Sequence, residues 1–282
     1  MLTKQQSDLL SRMRADNAAA GFPFTPLGWW EKVGDQFEGW FDEQGIGDVT
    51  AQSYDMHFAG LGGQSALARY IKRLGGSLEG HEALRAYVVS LLRAAIHNRY
   101  GIRVPQAESI DMDWDTLISS ESILAISEAD DSILYSPVTV ADLGPGWGRI
   151  GFVLTQLNPE ATYIIYDIPD SLIISRTHLN KLRPDLCHPY GEKPSGEPGI
   201  YFLGSQELAT APKHDFLLTI ATTQEMEAEH ISAYLDIIEK KTDYFYTLQR
   251  RGTGRHYRDH WECLFNRSPL WADHHFEALF RL

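Results

Sequence analysis

Apolar positions change their period along this chain, and the change divides it in two. Up to about residue 135 they recur at helical spacing: Ser7 to Ala20, His81 to Tyr100 (with Leu84, Val88, Leu91, Leu92 and Ala95 on one face) and Asp111 to Ala129 each read as a helix. From Val138 onward, short β-branched and aromatic runs alternate with helical patterns. Strands are expected at 138–143, 162–167, 200–204, 215–220, 244–249 and 275–282, and helices at 148–157, 170–181, 227–240 and 258–266. Such alternation builds a doubly wound α/β domain on a mostly parallel sheet with right-handed crossovers. The last strand, with its alternating apolar residues, is expected to enter antiparallel. Pro184 to Gly199, rich in proline and glycine, reads as a surface loop. Residues 1–135 are therefore expected to form a helical cap or oligomerisation segment, and 136–282 a ligand-binding α/β domain.

Within this pattern Val138 to Gly151, VTVADLGPGWGRIG, joins a buried strand to a helix through a glycine-dense turn. Two spacings overlap there. Gly146, Gly148 and Gly151 satisfy the dinucleotide fingerprint G-x-G-x-x-G, whereas Asp142, Gly144, Gly146 and Gly148 give D-x-G-x-G-x-G. In a dinucleotide fold the first fingerprint glycine closes the strand. Here the strand ends at Gly144, so that parsing starts two residues late and leaves Asp142 without a role. An acid at the strand's carboxyl end suits a cofactor with a cationic amino-acid portion and repels a pyrophosphate. S-adenosylmethionine has such a portion and no phosphate. Gly151 is then expected to be a close-packing glycine inside the first helix.

The second strand ends in Asp167, nineteen residues after Gly148. An acid in that register is placed to accept hydrogen bonds from ribose hydroxyls, although acids at strand ends also serve as plain turn formers. Ile168 continues the same turn and is grouped with it as cofactor-binding. In a doubly wound sheet, ligands bind outside the carboxyl ends of the strands. By that rule Ser205 and Gln206, after the third strand, are placed to meet the adenine edge, with helix capping the competing role for Ser205. After the fourth strand comes Ala221 to Met226, ATTQEM, whose run of polar residues is hard to explain by packing. Thr222 is expected at the cofactor, next to its reactive end.

Composition narrows the function classes. Hydrophobic residues make up 43% of 282, enough for a full core. No apolar run reaches membrane-spanning length, and MLTKQQSDLL has no signal-type core, so a cytoplasmic location is expected. A net charge of −13 argues against nucleic acid as a partner. Arg250, Arg251, Arg255 and Arg258 form a local basic cluster, which is either a solvated loop or a site for an anionic small molecule. Cys187 and Cys263 lack metal spacing, and no metal is expected. The aromatics Trp29, Trp30, Phe37, Trp40 and Phe41 read as helix packing or as a wall for a stacked acceptor.

The Asp142-Leu-Gly-x-Gly-x-Gly run, the Tyr166-Asp167-Ile-Pro turn and above all Gln224-Glu225-Met226 resemble the sugar O-methyltransferase family, within the class I S-adenosylmethionine-dependent methyltransferases. The resemblance covers Asp113 to the C-terminus. It implies a seven-stranded, Rossmann-like sheet, the methyl donor and a sugar-like hydroxyl acceptor. Methyl transfer is an in-line displacement, where alignment alone supplies about 7–11 kcal/mol and a general base roughly 10²–10⁴-fold. Position nominates Glu225 as that base, with His256 and His260 next, each of which also reads as structural; His230 is expected to point away. Three other readings stay open: methylation of a phenolic or acidic natural-product intermediate, an NAD-linked oxidoreductase, and a non-catalytic cofactor-binding subunit.

Overall fold

The computed structural model describes residues 2–25, 114–269 and 273–282. The expected helix at 81–100 and the tryptophan-rich stretch lie outside the described residues. Helix α1 (Lys4–Ala20) opens with a capping box, in which the Thr3 side chain accepts from the Gln6 amide and the Gln6 side chain accepts from the Thr3 amide. Helices α2 (Trp114–Ser127) and α3 (Ser132–Tyr135) lead into β1 (Thr139–Leu143). Then follow α4 (Arg149–Leu157), β2 (Thr162–Asp167), α5 (Pro169–Leu182), β3 (Gly199–Gly204), β4 (His214–Ile220), α6 (Ala228–Lys241), β5 (Thr242–Arg250), β6 (Glu262–Arg267) and β7 (His275–Arg281). Pro169 opens α5 where its missing N–H costs nothing.

The seven strands form one sheet in the order β3-β2-β1-β4-β5-β7-β6. The first five in this order run parallel, and β7 is antiparallel to both its neighbours. This is the doubly wound, seven-stranded sheet expected from the sequence. One element is corrected: the helix expected at 258–266 is absent, and β6 stands there instead. It is an edge strand with a register shift between Cys263 and Phe265 and side chains that are exposed or half-exposed, so no buried face imposed a strand period on its sequence.

Apolar residues alternate between the two faces of the sheet. Val140, Tyr163, Ile165, Phe202, Phe216 and Leu218 pack with α4 and α5 on one face; Ala141, Ile164, Tyr166, Tyr201, Leu217 and Phe245 pack with α6 on the other. Fully burying a side chain of this size contributes about 1.5–3 kcal/mol. Leu10 and Met13 of α1, and Ile118, Ile123, Leu124 and Ile126 of α2, belong to the first of these cores. The described helices before residue 135 thus share the core of the sheet. The outer edge of β3 is shielded by the loop at 186–191, through backbone hydrogen bonds from the amides of His188 and Gly191 to Ile200 and Phe202.

Candidate functional site

The strand order fixes where a ligand fits. β1 has β2 on one side and β4 on the other, so the chain winds in opposite directions from it and leaves a crevice outside the carboxyl ends of β1 and β4. The turn after β1 fills the β1 side. Gly144, Gly146 and Gly148 have φ of 71°, 64° and 84°, a region in which side chains with a Cβ are strained. A Cβ on Gly144 would lie 2.2 Å from Thr222 Cγ2, so the turns after β1 and β4 touch there. The Thr222 hydroxyl donates to the Gly144 carbonyl at 2.8 Å. Thr222 thus braces the glycine turn. Gly151 lies inside α4, and a Cβ on it would sit 2.4 Å from the Tyr163 ring.

That close approach brings Tyr163 to Asp142. Its hydroxyl donates to Asp142 Oδ2 at 2.5 Å, while Oδ1 of the same buried carboxylate has no hydrogen-bond partner. Burial pushes Asp142 up to about 7, against the Tyr163 hydrogen bond and the Arg149 guanidinium, which pull it down. Asp167, at the end of β2, is also buried; Oδ1 accepts from the Ile168 amide at 2.8 Å and Oδ2 from the Ser171 hydroxyl at 2.6 Å. Burial lifts it to about 7 as well, opposed by the Ser171, Ile168 and Gly146 hydrogen bonds and reinforced by the nearby Asp142 charge. Two mutually repelling carboxylates thus flank the glycine turn, one with an empty lone pair. A cation between them would relieve both the repulsion and the orphaned oxygen, whereas an anion would worsen both. Ile168, half-buried, extends from the same strand end.

After β4, Ala221 takes φ 58°, a left-handed conformation that costs a residue with a Cβ of order 1–3 kcal/mol. The 3-10 turn Thr223–Glu225 follows. Gln249 holds it in place: its Oε1 accepts from the Gln224 amide at 3.1 Å, and its Nε2 donates to the Thr219 carbonyl at 3.0 Å. In return Gln224 Oε1 accepts from the Arg250 amide at 2.7 Å. Glu225 is half-buried on this turn, at the β4 side of the crevice.

The two histidines nominated beside Glu225 are set apart: His256 touches the turn that bears Glu225, and His260 lies at the other end of the sheet. His256 is wholly buried between two threonines. The Thr253 hydroxyl gives its proton to the Arg250 carbonyl at 2.7 Å, so it accepts from His256 Nε2–H at 3.1 Å. His256 Nδ1 is then the acceptor for the Thr223 hydroxyl at 2.8 Å. Both ring nitrogens are occupied, and burial holds the imidazole down at about 4, so His256 bridges the β4 turn to the β5–β6 loop as a neutral ring. His260 is exposed and pairs with Glu239 in the last turn of α6. That helix runs from the carboxyl edge of the sheet back to its amino edge, which places His260 at the end opposite the glycine turn.

Ser205 and Gln206 follow β3 and meet α1. Asn17 Nδ2 donates to Gln206 Oε1 at 3.3 Å, Ser205 Oγ at 3.4 Å and the Phe24 carbonyl at 3.1 Å. Ser205 is buried and opens the 3-10 turn Ser205–Thr210, whose N-cap is Gly204. The basic cluster disperses: Arg255 pairs with Asp259, Arg258 with Asp236, and Arg251 donates to Ser268, leaving Arg250 as the member whose backbone adjoins the β4 turn. Among the described residues no three His, Cys, Asp or Glu side chains group to hold a metal, and no helix is long and apolar enough to cross a membrane. Tyr163, Gln249 and Asn17 escaped the sequence reading. For Tyr163 a signal existed, a hydroxyl in an otherwise aliphatic strand beside the glycine-bearing helix.

No protein-family model and no curated protein matches the chain. Among solved structures, it is similar to the pyocyanin biosynthetic protein PhzM (13% identity, 59% of this chain and 56% of that one, TM-score 0.42) and to the mitomycin 7-O-methyltransferase MmcR (12%, 58% and 56%, 0.42). It is also similar to the magnesium protoporphyrin IX methyltransferase of Synechocystis PCC 6803 with bound S-adenosylmethionine (15%, 59% and 80%, 0.42). The chain spans less than two thirds of the length of the first two. Likeness at this level assigns no activity. The fold stands on the sheet itself, whose strand order and antiparallel β7 are those of the class I methyltransferase fold.

Proposed function

We propose that this protein is an S-adenosylmethionine-dependent O-methyltransferase acting on a hydroxyl of a sugar or a sugar-containing small molecule. One observation carries the cofactor: Asp142 and Asp167, both buried, bracket a turn of three left-handed glycines at the switch point of the sheet. Asp142 Oδ1 would receive the ammonium of the amino-acid portion, and the backbone of Gly144 to Gly148 would lie along it. Asp167 would accept from ribose hydroxyls through the lone pairs its two internal partners leave open, with Ile168 beside it. Ser205 and Gln206 would meet the adenine. A pyrophosphate would face the same two carboxylates, which disfavours NAD.

When bound, the cofactor supplies an electrophilic methyl on a sulfonium. The chain's part is to hold the acceptor oxygen in line and to take its proton. Gln224, Gln249 and the Thr223–His256–Thr253 bridge fix the turn that bears Glu225, and Glu225 is our choice of base. The sugar rests on the resemblance of Gln224-Glu225-Met226 to the sugar O-methyltransferases; Arg250, next to that turn, would suit an anionic substituent on the acceptor.

Thermal shift with S-adenosylhomocysteine against NAD tests the cofactor, since a ligand at about 100 times its dissociation constant stabilises by roughly 2.7 kcal/mol. A shift with NAD alone would overturn it. Mass spectrometry on a panel of sugars, nucleotide sugars and phenols tests the acceptor; a methyl gained only by the phenols would refute the sugar.

A further inference from the structure

His230 lies in the first turn of α6, just beyond the Thr223–Glu225 turn and therefore at the carboxyl edge of the sheet. It is 6% exposed, yet neither Nδ1 nor Nε2 has a hydrogen-bond partner. Among the described residues it alone buries two side-chain nitrogens in that state. Native structures pair nearly all such atoms, and each exception calls for an explanation. His214 shows the contrast: it also keeps Nδ1 unpaired, but its Nε2 meets the Tyr166 hydroxyl at 3.2 Å.

The neighbours of His230 point toward the cofactor crevice. Tyr234, one helical turn along the same face, feels Ser205 and the charge of Asp167. Phe22 packs edge-on against the His230 ring with centroids 4.8 Å apart, and Phe24 against Tyr234 at 5.9 Å. The 21–25 turn that carries both phenylalanines is tied to the exit of β3 by Asn17, and α1 is anchored at the start of α5 by the Arg14–Asp170 ion pair at 2.5 Å. The N-terminal segment therefore straps across the exits of β2 and β3 to the first turn of α6. A ligand whose ribose meets Asp167 at the end of β2 carries its base toward β3, beneath this strap.

We propose that His230 is a base-recognition residue, whose imidazole hydrogen-bonds the purine of an adenosine ligand under the strap closed by Phe22. This rests on the adenosine cofactor proposed above. The neutral imidazole offers one donor and one acceptor, and the edge of adenine offers ring nitrogens that accept and an amino group that donates.

The test uses the full chain, with calorimetric titration of S-adenosylhomocysteine and melting without ligand. His230→Leu is expected to weaken S-adenosylhomocysteine roughly tenfold, the effect of about 1.4 kcal/mol. It should also leave the ligand-free melting temperature equal or higher, because two orphaned nitrogens are gone. His230→Asn, which retains a donor and an acceptor, should recover part of the affinity. Phe22→Ala, at an exposed ring, should weaken binding without lowering the ligand-free melting temperature. If His230→Leu melts lower without ligand, His230 is a core residue and the proposal falls. If His230→Leu binds like the wild type, it falls as well. Should the wild type not bind S-adenosylhomocysteine, the adenosine reading fails, and this inference with it.

Discussion

Replacing Asp142 by asparagine separates the cost of the buried carboxylate from its use. Burial moves this group from its ordinary 3.8 to about 7. A shift of that size disfavours the ionised form by about 4 kcal/mol relative to the unfolded chain. Between these two values the folded protein keeps a proton that the unfolded chain has released, so stability falls as pH rises through the window and levels off above it. About a third of the loss is complete by pH 5, which leaves about 2–3 kcal/mol to be lost between pH 5 and pH 8. An asparagine side chain would not titrate. Its carbonyl can accept from Tyr163 as Oδ2 does, and its amide replaces the orphaned Oδ1. Asp142→Asn should therefore gain about 2–3 kcal/mol over the wild type across this range, or about 5–10 °C in melting temperature. The same variant should lose at least tenfold in affinity for S-adenosylhomocysteine at pH 8, where the wild-type carboxylate is charged. Urea unfolding at closely spaced pH values, with titrations at the two ends, reads both. Parallel stability curves for the two proteins would refute the burial argument, and unchanged affinity would refute the assignment of Asp142 to a cation.

Glu225→Gln should cut turnover by roughly two decades or more while cofactor affinity stays put, which single-turnover methyl transfer and titration check together. His256→Phe strands the Thr223 hydroxyl and the Thr253 acceptor in the interior; unfolding should show a loss of about 2–4 kcal/mol, with the pH inflections of kcat/KM unmoved. His260→Ala, at the far end of the sheet, should change stability by less than about 0.5 kcal/mol and leave turnover alone, so a large fall in kcat would restore it as a base. Gly151→Ala drives a methyl into the Tyr163 ring; denaturation should register about 1–3 kcal/mol lost, and binding should weaken as Tyr163 is pushed from Asp142.

The parallel strands were legible because burial on both faces leaves short, near-continuous apolar runs rich in β-branched and aromatic residues and bounded by turn residues. Tyr163, Ile164, Ile165 and Tyr166 are each almost wholly buried, and the run from Thr162 to Asp167 has the expected bounds. β6 was not legible for the converse reason. Four of its six side chains are exposed, and it is a strand because β7 offers it partners from elsewhere in the chain. The glycine turn and its two acids could be placed from spacing, since strand register and turn geometry are local. The fates of His256 and His260 were not local. They depend on which of Thr223 and Glu239 each ring meets across twenty or more intervening residues. His230 shows a signal passed over: with Tyr234 and Ile238 it keeps a four-residue spacing, which sets it on the buried stripe of α6 and not on the outward one.

The placement of β7 between β5 and β6 has a consequence for the order in which the fold is assembled. β6 precedes β7 along the chain but pairs with β7 alone. A nascent chain that has emerged only through residue 267 can complete the five parallel strands, with β5 as an open edge and β6 unattached. Only when residues 275–281 arrive do they dock on β5 and give β6 a place. Arg267, at the end of β6, then meets Glu277 at 2.7 Å and Glu128 at 2.8 Å, stitching the late-arriving strands to the helical segment made long before them.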